Sequence, residues 1–204
     1  MKIEKDLIVA GGGMPGICAA ISAARHGLRV ALINNRGYLG GNASAESYVS
    51  ISGATGTQEF NLYARESGII GEILLENLHR NPHGGRYIWD ALLLDMVGRE
   101  KNIELFQNTH IDQAEMNHQH CIAFCSGIQT TTEKRFDFYG TYFLDDTGDG
   151  TLGALAGADF RMGREAQEEW NERLAPLAAD QYTLPSTLNF VAQDTGRPVK
   201  YIPP

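Results

Sequence analysis

Cysteine is scarce in this chain: Cys18, Cys121 and Cys125 are the whole supply, an odd number among 204 residues. That excludes a disulfide-stapled secreted scaffold and favours free, buried thiols in a reducing compartment. Cys121 and Cys125 also lack the Cys-x-x-Cys spacing of a redox pair. Long apolar runs are missing as well, since none reaches the roughly 20 residues that a membrane-spanning helix needs. The first apolar strand begins within a few residues of Met1, leaving no room for a secretory leader, so a cytoplasmic location is expected. Basic clusters are the third absence. Seventeen Lys and Arg against 25 Asp and Glu give a net charge of -8, which repels polyanions and argues against a nucleic-acid partner. No metal site is expected either: Asp145, Asp146 and Asp149 lack the spacing and distal Glu of a calcium loop, and His118 and His120 fall in a solvated hairpin.

What the chain does have is two glycine-rich turns, each following an apolar strand and preceding a small-residue helix. In the first, Leu7 to Ala10 form the continuous apolar run of a strand buried on both faces. Gly11, Gly13 and Gly16 then stand at the spacing of a dinucleotide fingerprint. The first allows the tight turn, the second lets backbone approach a pyrophosphate, and the third lets helix pack on strand. Met14 and Pro15 open a helix rich in alanine, whose free N–H groups and dipole favour phosphate. Gly27 ends that helix, and Arg29 to Ile33 make a second strand.

The tip of the second strand lacks what dinucleotide sites usually carry, an Asp or Glu that accepts from the adenosine ribose. Asn34, Asn35 and Arg36 stand there instead. An amide still offers hydrogen bonds without charge. Arg36 raises the alternative of a 2′-phosphate and an NAD(P)-dependent dehydrogenase. Against it stands a glycine doublet, Gly40-Gly41, followed by Asn42, which no nicotinamide site requires and for which close passage beside a flavin gives a purpose.

The second turn is Asp145-Asp-Thr-Gly-Asp-Gly150, after an apolar return strand at Thr141 to Leu144 and before a helix at Leu152 to Ala156. Thr147 and Gly148 permit close backbone contact, and Asp149 can accept from a sugar or ribityl hydroxyl. Two such cradles around one crevice point to an extended dinucleotide, and FAD is the expected cofactor.

Together, Gly11 to Gly27, Leu39 to Ser44, Glu66 to Glu72, Asp146 to Gly150 and Gly157 to Glu165 resemble the FAD-dependent oxidoreductase family, most nearly its branch common in carbohydrate-degrading bacteria. The resemblance covers nearly the whole chain. It implies a glutathione-reductase-type flavin domain: an α/β fold with a parallel Rossmann-like sheet, flanking helices and a small antiparallel β-meander. It also implies Gly11, Gly13 and Gly16 at the pyrophosphate and Asn34 to Arg36 near the adenosine. Gly40, Gly41 and Asn42 lie toward the flavin, Ile111 meets the adenine through its backbone, and Thr147 to Asp149 close the ribityl side. The chain is shorter than such proteins usually are.

The expected organisation is an FAD-binding domain over 1–165, with a helical insertion at about 44–102, and the start of an incomplete substrate domain over 166–204. Ile69 to Arg80, with Ser67 as N-cap, and Tyr87 to Arg99 carry helical periodicity on either side of Asn81-Pro-His-Gly-Gly85. From Ile103 to Leu144 several short strands are expected, broken at 117–120, at Ser126-Gly127, near 131–134 and at Gly140. Trp170 to Pro176 reads as helix and Leu188 to Gln193 as the start of a strand. Ser44 and Glu46 follow the doublet and are weak catalytic candidates; no residue is assigned catalysis outright. Arg161, Arg164 and Glu165 serve either anion recognition or ion pairing, with ion pairing favoured. The function implied is the FAD-binding part of an oxidoreductase passing hydride from a small-molecule substrate to flavin N5. A truncated, non-catalytic nucleotide-binding domain is a further alternative, and the oligomeric state is left open.

Overall fold

The computed structural model describes residues 1–54, 63–185 and 194–200. The chain divides into two compact units, Met1–Arg161 and Met162–Pro204. The first is built on one six-stranded sheet made of β1 (Lys2–Ala10), β2 (Val30–Ile33), β3 (Ile103–Phe106), β4 (Thr109–Met116), β5 (Ile122–Gln129) and β6 (Lys134–Asp145). Its order is β3-β2-β1-β6-β5-β4. The four strands from β3 to β6 run parallel, and β6-β5-β4 continue as an antiparallel meander.

The sheet is buried on both faces at its centre, which is why β1 ends and β2 consists in unbroken apolar sequence. One face packs Val9, Val30 and Leu32 against α1 (Met14–Arg25), α2 (Gly68–Arg80) and α3 (Arg86–Gly98), with Ile17, Ile21, Ile73, Leu92 and Leu93 in the same cluster. The other packs Ile8, Ala10, Ala31 and Ile33 against Phe106, Phe136, Phe138 and Leu152, the last from α4 (Thr151–Leu155). The three phenylalanines meet edge-on or tilted at centroid distances of 5.0–5.9 Å. This is the mixed α/β, Rossmann-like arrangement that the turn-and-strand pattern leads one to expect.

Two expected breaks are overturned. Ser126 and Gly127 lie inside β5, and Gly140 lies inside β6. Both glycines serve packing within the sheet: a Cβ on Gly127 would stand 2.7 Å from the His110 carbonyl oxygen, and one on Gly140 would stand 2.7 Å from Ile8 Cγ1. With no break at Gly140, the meander and the return strand are one 12-residue strand. Its first part pairs antiparallel with β5 and its later part parallel with β1, from Lys2↔Asp137 to Ala10↔Asp145.

Smaller differences have local causes. Ser67 stands at the N-cap of α2 but makes no side-chain cap bond. Cys121 is exposed, not buried, because it precedes β5 in a turn where Asn117 Oδ1 accepts from its N–H; Cys18 is half-buried and Cys125 buried. Burial pushes the Cys125 thiol up to about 12. In the second unit the helix expected over Trp170 to Pro176 is instead α5 (Gln167–Trp170), stopped where Asn171 turns left-handed at φ 57°. Arg164 and Asp180 pair there by backbone and side chain. The strand expected at Leu188 to Gln193 lies outside the described residues. Among the described residues no helix is long and apolar enough to cross a membrane.

Candidate functional site

The three glycine turns of the first unit are packed against one another at the C-terminal ends of β1, β2 and β6. Gly11 has φ 115°, and a Cβ there would stand 2.1 Å from the Asp146 carbonyl oxygen. The two turns expected at opposite sides of a ligand are therefore in direct backbone contact, joined also by Asp146 N–H donating to Ala10 O at 2.7 Å. Gly40 donates to Gly12 O at 2.8 Å, and a Cβ on Gly41 would lie 3.2 Å from Gly13 Cα. Gly40 itself has φ 106° and faces Leu93 Cδ1 where a Cβ would stand 2.8 Å away. Close mutual packing is thus the direct structural reason for the doublet.

Gly16 plays the packing part that the fingerprint spacing gives its third glycine, although the resemblance also sets it at the pyrophosphate. It is buried, with its missing Cβ 2.0 Å from Gly11 O, so it lets α1 close onto the turn and does not line the crevice. Gly13 is the opposite case. Its backbone is ordinary, at φ -69° and ψ 179°, and a Cβ there would meet nothing nearer than Pro15 Cδ at 3.8 Å.

Above these turns opens a crevice of about 760 Å³. It is lined by Gly11, Gly13, Met14 and Pro15, by Asn34 to Arg36, by Gly40 to Asn42, by Ile111, and by Thr147 to Asp149. All the residues expected at the cofactor except Gly16 thus line one crevice, although they are spread through the sequence from Gly11 to Asp149. Sequence reasoning missed Thr109, His110 and Val49 to Ile51, which also line it and carry no motif.

The side chains at the strand tips are already engaged. Asn34 is buried, and its Nδ2 donates to the carbonyls of Arg36 at 2.9 Å and Tyr38 at 2.8 Å. The amide nitrogen thereby shapes the 35–38 turn. An aspartate has no hydrogens to donate to two carbonyls, which gives a physical reason for the missing acid. Arg36 pairs with Glu46 at 3.0 Å, so both its charge and that of Glu46 are satisfied. Ser44 is buried, and its Oγ accepts from Glu46 N–H at 3.3 Å. Neither Ser44 nor Glu46 lines the crevice.

The second turn separates two adjacent carboxyls. Burial alone would raise Asp145, but bonds from Thr147 Oγ1 at 2.7 Å, Gly153 N–H at 2.8 Å and Thr147 N–H at 3.0 Å outweigh it and hold the carboxyl below its ordinary value. Asp146 is held above its ordinary value by burial first and by the Asp145 charge second, and its Oδ2 is buried without a protein partner. Thr147 Oγ1 in turn accepts from Thr151 N–H at 2.8 Å at the start of α4.

These groups suit a dinucleotide. The N-terminus of α1 carries no side-chain cap, so its first N–H groups are available to phosphate oxygens. Open backbone at Gly13, Gly148 and Gly150, where added Cβ atoms would meet no close neighbour, lets a pyrophosphate or sugar chain lie against the protein.

Comparison with known proteins agrees. A profile of the FAD dependent oxidoreductase family matches residues 6–200. The chain is 28% identical over 109 residues to Rab proteins geranylgeranyltransferase component A 1 of Caenorhabditis elegans, covering 53% of this chain and 21% of that protein. A geranylgeranyl bacteriochlorophyll reductase-like protein of Thermoplasma acidophilum matches 78% of this chain and 43% of its own with TM-score 0.51 at 15% identity. Mycobacterium smegmatis Sdh1 in its apo form gives TM-score 0.51 at 15% identity over 71% of this chain and 34% of its own. A myxobacterial chondrochloren halogenase gives 0.50 at 16%, over 70% and 37%. The chain therefore spans about a fifth of that curated relative and well under half of these structures. With a shared fold and a profile match over nearly its whole length, the chain belongs to the FAD dependent oxidoreductase family, whose cofactor is FAD.

Proposed function

We propose that this chain is the FAD-binding portion of a flavin-dependent oxidoreductase acting on a small-molecule substrate. The observation that carries it is the single crevice shared by the three glycine turns. In this reading the N–H groups at the start of α1 bind the pyrophosphate, with Gly13 keeping that surface free of side chain. Asn34 to Arg36 and the backbone of Ile111 border the adenosine, Gly40 to Asn42 lie toward the flavin, and Thr147 to Asp149 border the ribityl hydroxyls. When bound, FAD supplies the two-electron redox chemistry, accepting substrate hydride at N5. The chain's own work is to bind, orient and shield. A cytoplasmic setting belongs to the same reading, with Cys18, Cys121 and Cys125 as free thiols. The engaged Arg36 weighs against a 2′-phosphate and so against the NAD(P) alternative.

The test uses Gly13, whose substitution separates binding from folding. Protein reconstituted with FAD is expected to retain flavin absorbance through gel filtration and to melt at higher temperature. Gly13→Leu is expected to melt within a few degrees of the unmodified apo protein yet bind FAD more than tenfold more weakly, a loss above about 1.4 kcal/mol. Stabilisation by NADPH but not by FAD would overturn the proposal.

A further inference from the structure

Beside the flavin crevice lies a second cavity of about 1010 Å³, bounded by the 43–54 segment, α2, the 81–85 turn and the start of α3. The two cavities share Ala43, Val49, Ser50 and Ile51 as a common wall. Its lining is largely apolar, including Leu75, Leu78 and Trp89, of which Leu75 and Leu78 are exposed. Arg65 and Arg86 also line it.

The charge pattern there departs from its surroundings in the first unit. Arg25, Arg29, Arg36, Arg80, Arg99 and Arg135 each hold a carboxylate in an ion pair. The carboxylates on the cavity wall are committed elsewhere: Glu72 to Arg25, Glu76 to Arg80, and Glu66 to the Ala54 N–H. Arg65 and Arg86 hold no carboxylate among the described residues. Arg86 lies over the Tyr48 ring, and its Nη2 is buried with no hydrogen-bond partner. One turn further along α3, Trp89 Nε1 is buried and unpartnered too. A protein of net charge -8 has carboxylates to spare, so two unpaired arginines and two orphaned donors around one cavity mark a place for an acceptor from outside. Tyr48 is also held at φ 58°, a conformation a bulky residue adopts only when its surroundings enforce it.

We propose that this cavity binds the substrate of the flavin site and that the substrate class is a carboxylate with an apolar body. The inference rests on the flavin reading above for its catalytic meaning, though not for binding itself. Arg86 and Arg65 take the carboxylate, and the apolar wall from α2 takes the body. The shared 43–51 wall brings the bound molecule to the edge of the cofactor crevice.

Benzoate, with its neutral isostere benzamide, is the probe. Calorimetric titration of the FAD-loaded and apo protein is expected to show benzoate binding in both, at least tenfold tighter than benzamide. Arg86→Ala and Arg65→Ala are each expected to weaken benzoate about tenfold or more while leaving FAD retention unchanged, and Arg86→Lys to weaken it less than Arg86→Ala. Equal binding of benzoate and benzamide, no benzoate binding at all, or affinity untouched in both alanine variants would overturn the proposal. Should Arg86→Ala fail to melt cooperatively, Arg86→Lys and Arg65→Ala carry the decision. Failure to bind FAD, with benzoate still bound through the arginines, would sink the flavin reading and leave the anion cavity standing.

Discussion

At the scale of single residues, Asn34 shows how one buried amide replaces an expected charge. Its two Nδ2 bonds close the turn that leads to Gly40, so its chemistry is spent on shape. Asn34→Asp removes both donors and sets a carboxylate against two carbonyl oxygens, and it is expected to destabilise the protein by about 3 kcal/mol, measured by urea unfolding. Restoring the usual ribose acid should thus weaken the fold. The position of Asn34 after β2 was legible in the sequence; its partners were not, because a side chain's hydrogen bonds depend on where the next four residues turn. Gly16 was more legible: the fingerprint spacing gives it the packing role, and the 2.0 Å approach of a Cβ there to Gly11 O is that packing.

At the scale of elements, the turn from β6 to α4 holds two neighbouring carboxyls displaced in opposite directions. Asp145, held low, adds stability above the ordinary aspartate value of 3.8 that is lost as pH falls through its lowered one. Asp146, held high, imposes a cost at neutral pH that is relieved as pH falls through its raised value toward 3.8. In apo protein, Asp146→Asn is therefore expected to raise the urea midpoint at pH 7, with the gain shrinking toward pH 4. Asp145→Asn is expected to lower it at pH 7. Midpoints of both variants across that range check the signs. The turns themselves were readable because backbone that must bend sharply leaves glycine in the sequence. The length of β6 was not, since Gly140 looks like a break until Ile8 is known to fill the space beside it.

At the scale of the molecule, the buried core belongs to Met1–Arg161, and no described residue of Met162–Pro204 is buried. A chain ending at Arg161 is expected to unfold in one cooperative transition and to retain FAD. Far-UV circular dichroism in urea, alongside flavin absorbance, tests this; a broad, sloping transition would contradict it. The architecture was legible because strand–turn–helix order limits a parallel sheet to few topologies. The second cavity was not legible, because nothing in the sequence marks Arg86 and Trp89 as carrying buried donors without a partner, or Tyr48 as left-handed. β1 takes β6 as one of its two neighbours, with Lys2 opposite Asp137. During synthesis β1 can pair with β2 early, but its other edge stays open until the chain has been extended through Asp145. Until β6 has been made, then, the strand that anchors the nucleotide turn keeps one uncovered edge, and chaperone protection matters most in that interval.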